Sequence, residues 1–181
     1  MSISNEKVIE QTTNWIKSVV IDCNFCPFAA RAVMKKTIRY IIKTDVDMKS
    51  SLLALQEELT YLETDTEIET SFIIFPNNFI DFDDYLELVK KAEQFIKKEN
   101  YEGVYQIASF HPDYCFAGEE ENDAANFTNR SIYPMLHILR EESLTKALSL
   151  YPNPELIPQH NIDYARQKGL QYMQMLRTAC L

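Results

Sequence analysis

Glycine is scarce in this chain, with three residues among 181, and basic residues are too few to balance the acidic ones. So few glycines exclude the Gly-rich loops that cradle phosphates in nucleotide-binding folds. A formal net charge of -9 and a pI near 4.9 argue against nucleic-acid partners, because phosphate neutralisation needs clustered Lys and Arg. No apolar run approaches about 18 residues, so we expect no membrane span.

The N-terminal segment MSISNEKVIEQ has no apolar stretch after a basic start, so we expect no secretory signal and a cytoplasmic protein. Four cysteines in such a protein are expected to be free thiols or metal ligands before disulfides. A hydrophobic content of 46% in a chain of this length predicts one globular domain over residues 1–181.

The central part of the chain alternates two kinds of pattern. Runs rich in β-branched and aromatic residues predict strands at 37–43, 68–75 and 104–110. Apolar residues at helical spacing predict helices at 48–62 and 82–97, with Asp45 or Asp47 and Asp81 as N-caps. Two successive βαβ units predict an α/β fold with a small parallel sheet of about three strands, flanked by helices.

The two ends of the chain are predicted to be helical. Apolar periodicity predicts helices at 5–21 and 27–34 before the sheet. After the sheet it predicts a mainly helical C-terminal region, with helices at 133–150 and 154–168 and a helical turn at 172–178. In this prediction His137 and Arg140 lie three residues apart on one helix face.

A first candidate site follows from the parallel sheet, because ligands bind beyond the carboxyl ends of parallel strands. His111 and Asp113 directly follow the third predicted strand and are candidate acid/base groups. Asn126, Thr128, Asn129 and Arg130 precede the helix predicted at 133–150, whose free N–H groups would favour an anion.

The helix itself adds two candidates, His137 as a catalytic group and Arg140 as a second cation for the ligand. Together these residues predict a pocket that binds, and in one version transforms, a small anionic metabolite. Whether a reaction takes place there stays open. The acidic segment 119–123 between the two parts of the site would serve as a lid.

Two alternatives remain open. Cys23 and Cys26 have the spacing of half a zinc site, and His111 and Cys115 would complete a tetrahedral set of three thiolates and one imidazole. In this alternative the protein uses Cys26 for thiol chemistry or binds zinc. In the other alternative the polar segment is a structural network of hydrogen bonds that fixes the C-terminal region to the sheet.

Four stretches of this chain resemble the bacterial family called domain of unknown function 1415. They are Cys26-Pro27-Phe28-Ala29, the segment from Ala108 to Tyr114, Phe116-Ala117-Gly118, and above all the segment from Asn126 to Glu141, NFTNRSIYPMLHILRE. The resemblance extends from Trp15 to about Ile162. It implies no established reaction.

The departures from the family pattern bear on the zinc alternative. The family typically has Leu in place of Cys23 and Gln in place of Cys115, and it keeps a cysteine only at the position of Cys26. A zinc site common to the family would therefore not use Cys23 or Cys115. Ile132 also replaces a proline of the family's Ser-Pro-Tyr-Pro run.

Overall fold

A mixed four-stranded sheet forms the centre of the computed structural model, which describes residues 3–181. Its strands are β1 (Ile38–Ile42), β2 (Thr70–Ile74), β3 (Tyr105–Phe110) and β4 (Met135–Arg140), in the order β1-β2-β4-β3. β1 and β2 pair in parallel, and β4 pairs antiparallel with both β2 and β3. The three predicted strands therefore run in one direction, and β4 lies between the second and the third.

The helices follow the predicted order with a few differences in type and length. The α-helices are α1 (Asn5–Trp15), α2 (Ala29–Lys35), α3 (Met48–Thr64), α4 (Phe82–Lys98), α5 (Glu141–Leu148), α6 (Ile157–Lys168) and α7 (Leu170–Thr178). A π-helical segment, Ile16–Ile21, continues α1, and 3-10 helices occur at Ala124–Thr128 and Pro154–Leu156. Asp47 and Asp81 cap α3 and α4 as predicted, because their carboxylates accept backbone N–H groups of the first turn.

Each face of the sheet packs against its own helices. On the α1 face, Phe72, Ile74 and Met135 pack with apolar side chains of α1, the π-helical segment, α6 and α7. On the α3/α4 face, Ile73, Leu136 and Ile138 pack with apolar side chains of α3 and α4. The alternation of side chains along each strand therefore divides the core into two layers.

The helix predicted at 133–150 is wrong over its first half, where the chain forms β4. Met135, Leu136 and Ile138 are all fully buried, because β4 is a central strand covered on both faces. Such a strand has no apolar/polar alternation, so its sequence resembles a buried helix. The predicted shared face of His137 and Arg140 is wrong for the same reason, since residues three apart on a strand point to opposite faces.

Among residues 3–181, no helix combines the length and the apolar character that crossing a bilayer requires. The cytoplasmic location stays a prediction. The expectation about the N-terminal segment falls in part on Met1 and Ser2, which lie outside the described residues.

Candidate functional site

His111 is fully buried at the end of β3 and uses both ring nitrogens within the protein. Nδ1 accepts a hydrogen bond of 3.0 Å from the backbone N–H of Asp113, so Nε2 carries the proton and donates to the carbonyl oxygen of Phe79 at 2.9 Å. Burial lowers the pKa of His111, which keeps the ring neutral. Phe79 itself has a left-handed backbone conformation at φ 56°, which is rare for an aromatic residue.

The side-chain amides predicted to bind an anion form hydrogen bonds with backbone groups of the surrounding chain. Asn126 is fully buried; its Oδ1 accepts from the backbone N–H of Phe116 at 3.0 Å, and its Nδ2 donates to the carbonyl oxygen of Glu120 at 2.9 Å. Asn129 Nδ2 donates to the carbonyl oxygen of Ser109 at 3.1 Å. The Thr128 hydroxyl lies 3.0 Å from Asn129 Oδ1. These side chains join the 3-10 helix Ala124–Thr128 to β3 and to the preceding loop.

The two predicted arginines also bond to backbone carbonyls. Arg130 donates to the carbonyl oxygens of Tyr114 and Glu121, each at 2.8 Å. Arg140 extends from the α3/α4 face, where its Nε donates to the carbonyl oxygen of Ile68 at 2.9 Å and its Nη2 to that of Asp65 at 2.9 Å. Both guanidinium groups therefore tie backbone segments of the protein together through hydrogen bonds.

The acidic segment predicted as a lid is anchored on α6. The Arg166 guanidinium donates to the carboxylates of Asp123 at 2.6 Å and Glu119 at 2.8 Å. This pairing, together with the N–H of Ala125, lowers the pKa of Asp123 to about 2.

The cysteines do not assemble into the predicted zinc set. Within residues 3–181 no group of three or more His, Cys, Asp or Glu side chains is placed to hold a metal ion, and all four cysteines are free thiols. Burial raises the pKa of both Cys23 and Cys26, although N–H groups of Phe28 and Ala29 partly offset this at Cys26. A raised pKa keeps a thiol protonated and therefore weakly nucleophilic.

A cavity of about 550 Å³ lies on the α1 face of the sheet, beneath α5, and is called the α5 cavity below. Its floor is a row of three residues that face one another across β2, β4 and β3: Phe72, His137 and Ala108. Ala108 has the smallest side chain of the row, which leaves space beside His137. Walls come from Trp15, Phe110 and the segment from Cys26 to Ala29, with α5 on top.

The α5 cavity lies nearer the amino ends of the parallel strands, where Ile38 and Thr70 begin β1 and β2. Of the residues predicted from sequence, it brings together His137, Cys26 and Arg140. His111, Asp113, Cys23, Cys115 and the segment 126–130 do not line it.

His137 is the polar group on the floor of this cavity. Its ring stacks on Phe72 with the ring centroids 4.0 Å apart and the planes 7° apart. The Thr70 hydroxyl donates its proton to the carbonyl oxygen of Ile138 at 2.6 Å and therefore accepts from Nε2–H of His137, also at 2.6 Å. Removal from bulk water lowers the pKa of His137 to about 3, so the ring is neutral near pH 7.

The second ring nitrogen of His137, Nδ1, is then a hydrogen-bond acceptor. It has no hydrogen-bond partner within residues 3–181. The one buried side-chain N or O atom left without a partner in that range is Thr12 Oγ1, so Nδ1 is not sealed in protein but reaches the cavity that His137 lines.

The roof and the mouth of the cavity differ from its floor. No residue of α5 is buried, although Leu144 and Ala147 point into the cavity. Arg31, Lys146 and Glu69 are the charged side chains at the mouth. Arg140 also lines the cavity, but its guanidinium is bound on the α3/α4 face of the sheet. Oε1 of Glu69 lies 3.8 Å from Nη2 of Arg31, whereas Lys146 has no ion pair within residues 3–181. The mouth therefore carries a small excess of positive charge.

Sequence reasoning missed most of the cavity, above all Thr70, Phe72, Ala108 and Phe110. These residues lie on two strands, β2 and β3, that are distant in the sequence, and no local pattern indicates that they meet. One available signal was the Cys26-Pro27-Phe28-Ala29 stretch, whose four residues carry the family resemblance and line the cavity.

Fold and cavity together define an α/β protein with a mixed sheet and a mostly apolar cavity of small-molecule size on a sheet face. Residues 7–175 match the model of a family described as protein of unknown function (DUF1415), and the chain belongs to that family. No curated protein and no solved structure matches the chain.

Proposed function

We propose that this protein binds a small amphipathic anion whose apolar body occupies the α5 cavity and whose anionic group lies at the mouth. The observation that carries the proposal is the cavity itself, since about 550 Å³ of mostly apolar space falls within the size range of small-molecule sites. An aromatic floor and walls favour a flat or aliphatic body of the ligand.

The charge at the mouth supports an anionic ligand. Arg31 and Lys146 are exposed cations there, and Glu69 neutralises one of them in part. A carboxylate at this place keeps its contact with water, while the apolar part of the ligand leaves water. An anion seated in the dry interior would instead lose its hydration without a cation to compensate.

The chemistry of the polar groups favours binding over a thiolate reaction. Burial raises the pKa of the Cys26 thiol and lowers the pKa of His137, so both groups are neutral near pH 7. A neutral thiol and a weakly basic imidazole are poor partners for nucleophilic catalysis.

A calorimetric titration with 2-naphthoate, a flat apolar carboxylate, tests the proposal. Ala108→Phe places a ring in the space beside His137 and is expected to abolish binding. Gln106→Phe is the matched control, because Gln106 is exposed two residues earlier on β3 and does not line the cavity. Equal affinity of the two variants, both folded by circular dichroism, would refute binding in the α5 cavity.

The charge at the mouth is tested with the same probe. Lys146→Glu is expected to weaken binding several-fold, in keeping with about 1 kcal/mol for an exposed ion pair. Lys49→Glu makes the same charge change on α3, beyond the opposite face of the sheet, and is expected to leave the affinity unchanged.

A further inference from the structure

On the floor of the α5 cavity, the hydrogen bonds around His137 determine which of its two ring nitrogens is the hydrogen-bond acceptor. Thr70 gives its only hydroxyl proton to the carbonyl oxygen of Ile138 at 2.6 Å, and this leaves its oxygen to accept from Nε2–H of His137 at 2.6 Å. The pairing of β2 with β4 sets Thr70 opposite Leu139, and this keeps the Thr70 hydroxyl next to the Ile138 carbonyl group and the His137 ring. Nδ1 of His137 is therefore the unprotonated nitrogen, and it reaches the cavity.

We infer that the ligand of the α5 cavity carries a hydrogen-bond donor, a hydroxyl or N–H group, at the end of its apolar body that meets Nδ1 of His137. The inference rests on the proposed function and narrows its ligand class to an apolar anion with a donor group remote from the anionic group. His137 is then the residue that determines specificity, and Thr70 is a positioning residue that acts through it.

The physical reason is the cost of an unpaired acceptor. A ligand that fills the cavity displaces the water that would otherwise bond to Nδ1, and the surrounding Phe72, Phe110 and Ala108 offer no donor side chain. A ligand with a donor restores the lost hydrogen bond, whereas a ligand without one leaves Nδ1 unpaired. Sites that are built to bond a substrate hydroxyl discriminate against its absence more strongly than apolar sites discriminate by size.

Three probes of nearly equal shape test the inference in calorimetric titrations. 6-hydroxy-2-naphthoate has a donor opposite its carboxylate, 6-methoxy-2-naphthoate has only an acceptor there, and 2-naphthoate has neither. For the wild-type protein we expect the hydroxyl compound to bind about tenfold more tightly than the other two, as one net hydrogen bond in a dry site provides. Tighter binding of the methoxy compound would overturn the inference, because it would mean that Nδ1 carries the proton.

Two variants and one NMR spectrum test whether His137 causes the tighter binding of the hydroxyl compound. In His137→Phe, which keeps a ring on Phe72, the three probes are expected to bind with equal affinity. Thr70→Val is expected to reduce the preference, because Nε2–H loses its acceptor and the proton is free to move to Nδ1. A ¹⁵N spectrum of the unliganded wild-type protein, which depends on no variant, is expected to place the ring proton on Nε2; a proton on Nδ1 would overturn the inference.

The outcomes separate this inference from the proposed function. If Ala108→Phe excludes all three probes and the wild-type protein binds them equally, the cavity is the binding site and the inference about the donor is wrong. If Ala108→Phe binds the probes as the wild-type protein does, the proposed function fails, and the inference fails with it.

Discussion

The hydroxyl group of Tyr85 donates a hydrogen bond of 2.7 Å to the backbone carbonyl oxygen of Met135, and it accepts one of 2.9 Å from the backbone N–H of Phe110. A side chain of α4 is thus inserted between the end of β3 and the start of β4. Tyr85 is fully buried, and burial raises the pKa of its hydroxyl, which stays a donor at all ordinary pH values.

We expect Tyr85→Phe to lower the free energy of unfolding by about 1–3 kcal/mol, because it leaves a buried N–H and a buried C=O unpaired. Urea unfolding measures the change. Tyr151→Phe is the control, since the Tyr151 hydroxyl makes no side-chain hydrogen bond within residues 3–181. Equal loss in both variants would mean that the bridging hydroxyl does not stabilise the sheet.

Stability is expected to fall in mild acid because of His137. Its pKa is about 3 in the folded protein and 6.5 as a reference for the unfolded chain, so the unfolded state binds a proton first as the pH falls below 6.5. The contribution of His137 to the free energy of unfolding is therefore complete above pH 6.5 and declines as the pH falls towards 3. Between pH 7 and pH 5 the loss amounts to about 2 kcal/mol, at about 1.4 kcal/mol per pKa unit.

The comparison that isolates His137 is with His137→Phe, which cannot take up this proton. Urea unfolding of both proteins at pH 7 and pH 5 is expected to show the wild-type protein losing about 2 kcal/mol more than the variant. The contribution of His111, whose pKa burial also lowers, is present in both proteins and cancels. Parallel pH dependence of the two proteins would contradict the assignment.

Asn126 is expected to be a structural residue whose loss does not change ligand binding. Asn126→Asp keeps the shape but turns an amide donor into a carboxylate oxygen next to the carbonyl oxygens of Glu120 and Glu121. We expect a loss of about 2–3 kcal/mol of unfolding free energy, since buried donors are lost and a charge is buried. Asn77→Asp, at an exposed position, is the control.

The same variant separates the two sites considered for the ligand. If segment 126–130 held the anion, Asn126→Asp would weaken 2-naphthoate binding at a temperature where the variant is folded. Binding in the α5 cavity predicts an unchanged affinity, because Asn126 does not line the cavity.

α5 is expected to be the most readily opened part of the cavity wall. None of its residues is buried, whereas α4 buries Tyr85, Leu88, Ala92 and Ile96. Helices with few buried contacts open at low free-energy cost. Hydrogen exchange measured by mass spectrometry should find faster exchange in α5 than in α4, and slower exchange in α5 when 2-naphthoate is bound. Exchange in α5 that does not respond to the ligand would show that α5 does not cover it.

Several features of the fold could be predicted because their causes are local. Asp47 and Asp81 precede amphipathic runs and cap α3 and α4, as an N-cap carboxylate does in any context. The same holds for β1, β2 and β3, whose β-branched runs are bounded by polar turns. The contacts of the candidate site residues could not be predicted, since the polar side chains of His111 and Asn126 have protein partners that no spacing rule reveals.

The sequence by itself determined the alternation of strands and helices, the helix caps and the family, because each depends on residues close together in the chain. Only the tertiary structure decided that Met135–Arg140 is a strand, since its pairing partners Thr70–Ile74 and Tyr105–Phe110 are distant in sequence and burial on both faces removes the alternation that marks a strand. That strand sets His137 between Phe72 and Ala108, and so the cavity and its acceptor exist only in the assembled sheet.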